Sequence, residues 1–231
     1  ATSAGNYGET ISGQITGSGG IDFYGYYGSL TASGGLKATN TVTLANTGPP
    51  NNYTGNTYID NNYTSAAGYG GPDNTILQLG ASEQIPNGPG MGILVFGGWN
   101  PANINRSCTF ELNGFNETVN GISTPTAGPL DNYIRNTASG TSTLTVGDGD
   151  TSSTYGGTIS DGGAGMTLAL TKIGVGTLTL SGVNSYVGPT TVSGGTLALS
   201  GGAFLTNSAV LTVASNAVLD LSGLSSPFRL S

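Results

Sequence analysis

Carboxylates are the main candidates for chemistry in this chain, because the sequence contains no histidine. Asp148-Gly149-Asp150 places two carboxylates at alternate positions, as at the start of a calcium-binding loop. Such a loop normally has glycine at its sixth position and glutamate at its twelfth, where this chain has Ser153 and Ile159. Asp148 and Asp150 are therefore weak calcium candidates, and a polar turn is the simpler interpretation. We expect no metal and no cofactor.

A catalytic pair of carboxylates is the second possibility, since two such groups can cleave a glycosidic bond. Glu111 is expected on the polar side of a strand and Glu117 in the loop that follows it. Glycoside hydrolysis needs two such groups at a defined separation, which the spacing alone does not establish. Lyases also need Lys or Arg to stabilise an anionic intermediate, and the chain has only five such residues. We therefore expect that the protein is not an enzyme.

Aromatic side chains are a third possible source of binding. A cluster at Phe23, Tyr24, Tyr26 and Tyr27 is followed by the scattered residues Tyr53, Tyr58, Tyr63, Tyr69 and Trp99. Such rings can stack on sugars, and surface glycans are therefore possible partners. The favoured interpretation is that the first cluster covers an open end of the core or packs against a neighbouring subunit.

Composition excludes several other partners. The formal net charge is -7 and there is no basic run. The chain therefore lacks the cationic side chains that binding to nucleic acid or to an anionic membrane surface requires. The longest apolar run, Met91 to Phe96, is too short to span a membrane, so no membrane insertion is expected. Cys108 is the single cysteine and is expected to be a buried, inert thiol.

The elements that position these residues are short strands. Thr and Val are abundant, glycine recurs throughout, and helix-forming charged residues are scarce. Leu, Val or Phe alternates with Thr, Ala or an acidic residue, which indicates strands that bury one side. The predicted strands cover residues 41–44, 75–79, 109–112, 143–146, 167–170, 177–180, 196–199, 211–213 and 218–221.

The spacing of the C-terminal strands predicts their topology. Leu197 follows Leu178, and Leu219 follows Leu197, each after an interval of about twenty residues, which is typical of a solenoid coil. Such a coil stacks its Leu side inward and its Thr and Ser residues in outward ladders. The predicted fold is therefore an all-β, right-handed parallel β-helix with a less regular N-terminal strand segment. An antiparallel β-sandwich is the alternative.

One segment also resembles a known repeat. Leu170-Thr171-Lys172-Ile173-Gly174-Val175-Gly176-Thr177-Leu178-Thr179-Leu180 is followed by Val183-Asn184-Ser185-Tyr186-Val187-Gly188-Pro189-Thr190 and by Gly194-Gly195-Thr196-Leu197. These residues closely resemble the autotransporter-associated β-strand repeat, also called the passenger-associated transport repeat, with Tyr186-Val187-Gly188 where the family usually has Tyr-Thr-Gly. Weaker similarities are Thr43-Leu44-Ala45-Asn46 followed by Asn52-Tyr53-Thr54-Gly55-Asn56-Thr57-Tyr58-Ile59, and Leu112-Asn113-Gly114-Phe115-Asn116-Glu117-Thr118-Val119-Asn120-Gly121-Ile122. The resemblance implies a β-helix that a bacterium secretes or displays on its surface.

These observations divide the chain into four parts. Residues 1–40 form an aromatic strand, capping or docking segment, 41–140 irregular rungs with long loops, 141–223 regular repeat rungs, and 224–231 a C-terminal tail. Neither end shows an obvious cap, which predicts head-to-tail contacts between copies of the chain. The residues expected at those contacts are Phe23, Tyr24, Tyr26, Tyr27, Phe228 and Leu230.

Three functions remain open at this point. The first is a non-catalytic structural protein that self-associates into an extracellular filament, sheath or surface layer. The second is a surface adhesin passenger that binds glycans or host surfaces, and the third is a carbohydrate-active β-helix enzyme. The first is preferred because it requires no catalytic or ligand-binding site.

Overall fold

The computed structural model describes residues 7–24, 39–60, 74–97, 107–124, 131–205 and 210–228. Within these ranges the chain forms strands, and no helix is suited to cross a membrane. In chain order the strands are β1 (Tyr7–Ile11), β2 (Ile21–Tyr24), β3 (Thr39–Leu44), β4 (Thr57–Asp60), β5 (Asn74–Leu79), β6 (Leu94–Phe96), β7 (Ser107–Glu111), β8 (Glu117–Val119), β9 (Ile122–Ser123), β10 (Asn132–Asn136), β11 (Gly140–Val146), β12 (Ser153–Tyr155), β13 (Thr158–Asp161), β14 (Met166–Lys172), β15 (Thr177–Leu180), β16 (Val183–Asn184), β17 (Thr190–Val192), β18 (Gly195–Gly201), β19 (Phe204–Leu205), β20 (Leu211–Val213) and β21 (Ala217–Leu224).

The strands form three parallel walls. Sheet A contains β1, β3, β5, β7, β10 and β13 in that order and is continued by the pair β16 and β19. Sheet B contains β8, β11, β14, β17 and β20. Sheet C contains β2, β4, β6 and β9 and is continued by β12, β15, β18 and β21. Every pair of named strands is parallel, which confirms the β-helix and excludes the antiparallel sandwich.

Each coil passes from sheet A along or towards sheet B and then to sheet C. Eight strands lie on sheet C, so the described strands form eight successive coils. In the described parts of the first three coils no strand is assigned on the sheet B side. The early coils are also longer than the later ones, since Val42 pairs with Leu77, whereas Leu178 pairs with Leu197.

The core is one apolar cluster that runs through the coils. Leu178, Leu180, Leu197 and Leu199 point inward and are buried, as their alternation with Thr predicts. In the last coil, Leu219 and Leu221 pack against the core but are only half-buried. The predicted pairings of Leu178 with Leu197 and of Leu197 with Leu219 are both present.

The N-terminal residues 7–24 form a coil of the same solenoid. β1 pairs with β3 from Tyr7 to Ile11, and β2 pairs with β4 from Ile21 to Tyr24, both without a register shift. Two residues of the N-terminal aromatic cluster, Tyr26 and Tyr27, lie outside the described residues, as do Tyr63, Tyr69, Trp99 and Leu230.

Candidate functional site

Glu117 is the most deeply buried carboxylate among the candidates. It lies in β8, not in the predicted loop, and its side chain points inward on sheet B opposite Leu144. Its Oε1 accepts a hydrogen bond from the Ile85 backbone N–H at 2.7 Å, and Oε2 accepts one from the Gln84 N–H at 2.8 Å. Burial raises the pKa of Glu117 to about 8, although both amides oppose this and the Glu83 carboxylate adds to it.

The same inner edge carries amide side chains in the preceding coils. Asn51 Oδ1 accepts from the Ile15 N–H at 2.8 Å, and Asn51 Nδ2 donates to the Gln84 carbonyl at 2.7 Å. Gln84 Oε1 in turn accepts from the Asn46 N–H at 2.8 Å. Asn51, Gln84 and Glu117 thus form a buried polar ladder that satisfies the backbone where three coils lack regular sheet B strands.

Glu111 is engaged in a different place. It lies in β7 on the outward side of sheet A, as predicted, but it is covered and buried. Its Oε2 accepts a hydrogen bond from Arg135 Nε of the next coil at 3.0 Å, and its Oε1 accepts from the Thr137 N–H at 2.7 Å. Glu111 and Glu117 are therefore on different walls, and they do not form a glycosidase-type pair.

Asp148 and Asp150 lie in a turn between β11 and β12. Asp150 Oδ1 accepts a hydrogen bond from the Val175 N–H of the next coil at 2.9 Å, and the residue has a left-handed φ of 58°. This contact joins two turns that lie above one another. In the described part of the chain no group of three His, Cys, Asp or Glu residues could hold a metal ion.

Asp22 and Asp60 are a carboxylate pair that sequence reasoning missed. They lie on adjacent strands of sheet C, because Asp22 pairs with Tyr58 and Tyr24 with Asp60. Partial burial and the Asp60 carboxylate raise the pKa of Asp22 to about 6. The signal was present in the two alternating segments Ile21–Tyr24 and Thr57–Asp60, but their mutual register becomes evident only once the coils are aligned.

Lys172 holds the corner between sheets B and C. Its side chain is buried, and Nζ donates to the carbonyl oxygens of Ile173, Gly174 and Gly194. Burial lowers the pKa of Lys172, while the Asp150 carboxylate opposes that shift. This lysine belongs to the quoted repeat segment, and the ammonium group caps carbonyls of two successive coils.

Two tyrosines make the same local contact at different corners. Tyr186 OH lies 2.7 Å from Thr190 Oγ1, and Tyr53 OH lies 2.6 Å from Thr57 Oγ1. In both segments the glycine two residues after tyrosine packs against the preceding coil, and a Cβ at Gly188 would overlap the Leu168 carbonyl. The upstream segment 52–57 therefore shares the local turn structure of the repeat segment.

The two copies of this turn differ in their place on the coil. Thr57 begins β4 on sheet C, whereas Thr190 begins β17 on sheet B. Tyr53 is buried, so its ring serves the core and offers no stacking platform.

Cys108 is buried as predicted, and it lies in β7. Burial raises the pKa of its thiol to about 12, and the carboxylates of Asp60 and Asp22 add to this shift. A thiol with such a pKa stays protonated at neutral pH and is a poor nucleophile.

Three of the residues predicted for self-association, Phe23, Tyr24 and Phe228, are described, and they lie in the first coil and beyond the last strand. Phe23 in β2 is buried in the core of the first coil, and Phe228 is half-buried beyond β21. Phe228 lines a shallow depression together with Leu221, Leu224, Ser225, Ser226 and Pro227. Phe23 and Phe228 are separated by the intermediate described coils.

Comparison with known families agrees with this geometry. Residues 170–199 match the family model described as passenger-associated-transport-repeat, which confirms the resemblance of the segment Leu170–Leu199. The match begins in β14, passes through β15, β16 and β17, and ends in β18, so it covers somewhat more than one coil. Neither curated proteins nor solved structures gave a match. A repeat of this kind is associated with passenger-type proteins that are secreted or exposed at the cell surface.

Proposed function

We propose that this chain is a non-catalytic structural subunit of the bacterial exterior that stacks head-to-tail into a filament, sheath or surface layer. The repeat supports the extracellular setting. The carboxylates Glu111, Glu117 and Asp150 hold backbone amides of neighbouring segments, which favours a structural role. The observation that carries the proposal is the uncovered core at both ends of the described solenoid.

At the C-terminal end, inward positions that are covered elsewhere are open. Val192 is 0% exposed, whereas its partner one coil later, Val213, is 40% exposed. Leu197 is fully buried, while its partner Leu219 is only half-buried. Within the described residues, β20 and β21 have strand partners on one side only. An apolar, hydrogen-bonding edge of this kind attracts another strand layer.

The N-terminal end is partly open in the same way, although Phe23 in its first coil is only 5% exposed. Ile11, Ile15 and Ile21 are half-buried and pack against the core from one side, whereas Leu44 in the next coil is buried. Within the described residues, β1 and β2 likewise have partners on one side only. The outer donors and acceptors of one end of a parallel ladder complement those of the other, because each coil repeats the same strand direction.

Head-to-tail stacking covers the core at both ends. It places the coil of β1 and β2 from one copy on the coil of β19, β20 and β21 from the next, so that sheet A continues from β19 to β1 and sheet C from β21 to β2. β20 on sheet B faces a part of the first coil in which no strand is assigned among the described residues. Such a contact joins two different surfaces and does not close on itself, so it propagates. Phe23 and Phe228, with Tyr24, Tyr26, Tyr27 and Leu230, remain the residues proposed for this contact.

Sedimentation velocity over a range of protein concentrations tests the proposal. We expect the average mass of the sedimenting species to exceed that of a single 231-residue chain and to rise with protein concentration. Val213→Asp should sediment as a monomer, because it places a carboxylate on the exposed end of the core. Val183→Asp is the matched control, since Val183 is 56% exposed on the side of sheet A and should leave assembly unchanged.

Circular dichroism would establish that both variants are folded. A wild-type chain that stays monomeric at every concentration would overturn the proposal. Assembly of Val213→Asp equal to that of wild type would also reject this end as the contact.

A further inference from the structure

Sheet B presents an outer surface made almost entirely of threonine. Its inward positions are Leu, Val and a few buried polar groups, and the alternate positions point outward. The outward threonines of its five strands are Thr118, Thr141, Thr143, Thr145, Thr167, Thr171, Thr191 and Thr212, and we define these eight residues as the threonine face. The remaining outward position, Ala169, is buried at 6% exposure.

Five of these threonines form one continuous rank. Thr118 pairs with Thr145, Thr145 with Thr171, Thr171 with Thr191, and Thr191 with Thr212. Adjacent strands in a sheet are about 4.8 Å apart, so the rank extends over about 19 Å with a constant repeat. No register shift interrupts these pairings, although one does interrupt the pairing of β18 with β21 on sheet C.

Four of the five hydroxyl groups of the rank are available. Thr118 Oγ1 donates to Glu83 Oε1 at 3.0 Å, which ties the first member to the loop of the preceding coil. The hydroxyls of Thr145, Thr171, Thr191 and Thr212 make no hydrogen bond to the described part of the chain. Thr145, Thr171, Thr191 and Thr212 therefore carry hydroxyl groups without a partner in the described chain at successive strand positions.

The chemistry of this face excludes most partners. Its outward strand positions carry no charge, so phosphates and anionic lipids find no cation there. They carry no aromatic ring or arginine, the residues on which protein interfaces and sugar-binding platforms depend. A matching partner must be neutral, periodic and rich in hydroxyl or water oxygens.

We propose that the threonine face binds ice. The strand repeat lies close to the repeat of equivalent oxygens along one lattice axis of hexagonal ice, so successive hydroxyls can occupy positions that belong to the lattice. The methyl groups between them are poorly hydrated, which favours an ordered water layer over bulk water. The face lies along the side of the solenoid, so this inference does not depend on the proposed end-to-end stacking.

Partition of the chain into slowly growing polycrystalline ice tests the proposal. We expect the full chain, labelled at its terminal amine, to be enriched in the ice fraction several-fold over a globular protein of similar mass without ice affinity. Thr171→Lys should abolish that enrichment, because it places a charged side chain at the centre of the rank.

Thr179→Lys is the matched control. Thr179 is also a half-exposed, outward strand residue. On sheet C, however, it pairs with Ala198, and Ala198 pairs with Asp220, so it belongs to no row of threonines. This variant should partition like wild type. Exclusion of the wild-type chain from ice would overturn the proposal, and the threonines would then serve only strand formation. Equal loss in the two variants would reject sheet B as the binding face.

Discussion

At the scale of single residues, buried polar groups hold the solenoid where regular pairing fails. Glu117 accepts hydrogen bonds from two backbone amides of the preceding coil, and Asp150 accepts one from an amide of the following coil. Lys172 donates to backbone carbonyls at a corner. These groups are the ones that a search for catalytic chemistry selects first. The described contacts of these side chains are to backbone groups of the same or neighbouring coils. We therefore infer that these charged residues stabilise the fold.

Glu117 should make stability depend on pH. Its pKa rises from 4.5 in the unfolded chain to about 8 in the fold, so its contribution is complete below about pH 4.5 and is lost as the pH rises towards 8. Between pH 6 and 8 the free energy of unfolding should therefore fall, by at most about 1.4 kcal/mol per pH unit. Urea denaturation at several pH values measures this slope.

Two variants identify the group responsible. Glu117→Gln should remove the slope between pH 6 and 8, because the side chain no longer titrates. Asp22→Asn should change the profile only below about pH 6, which is the pKa of Asp22 in the fold. A slope that persists unchanged in Glu117→Gln would show that another group titrates in this range.

The buried tyrosines provide a second prediction. Tyr186 OH is hydrogen-bonded to Thr190 Oγ1. The Tyr155 ring instead packs edge-on against Phe96, and its buried OH finds no partner among the described residues. Tyr186→Phe should lower the free energy of unfolding by about 1 kcal/mol, the usual value of such a bond. Tyr155→Phe should cost almost nothing or stabilise, and thermal unfolding of both variants compares them. A larger loss in Tyr155→Phe would contradict this account.

At the scale of elements, the alternation of apolar and polar residues determined most of what could be predicted. The strands 177–180 and 211–213 have the expected bounds, and the others differ at their ends by a few residues. Leu and Val inside with Thr outside is a strong signal because a strand buries every second residue. The regular recurrence of Leu178, Leu197 and Leu219 then aligned the last coils.

The features that escaped prediction have weak local signals. β8 has three residues and begins with the inward Glu117, so a polar residue occupies a core position and breaks the alternation. The Asn51 and Gln84 ladder lies in segments without strands and joins residues that are far apart in the chain. Sequence patterns of period two do not report contacts at such separations.

The two sides of one strand pair should respond differently to charge. Leu197→Asp should be severely destabilising, by more than about 4 kcal/mol, because it buries an unpaired carboxylate in the core. Thr179→Asp should change the free energy of unfolding by less than about 1 kcal/mol, since Thr179 points outward. Chemical denaturation would reveal the difference, and similar losses would remove the assignment of faces.

At the scale of the whole molecule, the solenoid is uneven along its axis. Early coils are long and use amide side chains on one wall, while later coils are short and have strands on all three walls. The repeat match lies among the short coils. Both ends of the described stack have half-buried core residues, and this is the property on which the proposed assembly rests.

Cryo-electron microscopy of the assembled chain tests the central claim, head-to-tail stacking, most directly. Eight coils at about 4.8 Å each predict an axial rise of about 38 Å per subunit if the ladder continues across the contact. Filaments with this rise, and with sheets A and C continuous between subunits, would support the account. Filaments in which subunits pack side by side, or in which both ends remain open, would contradict it.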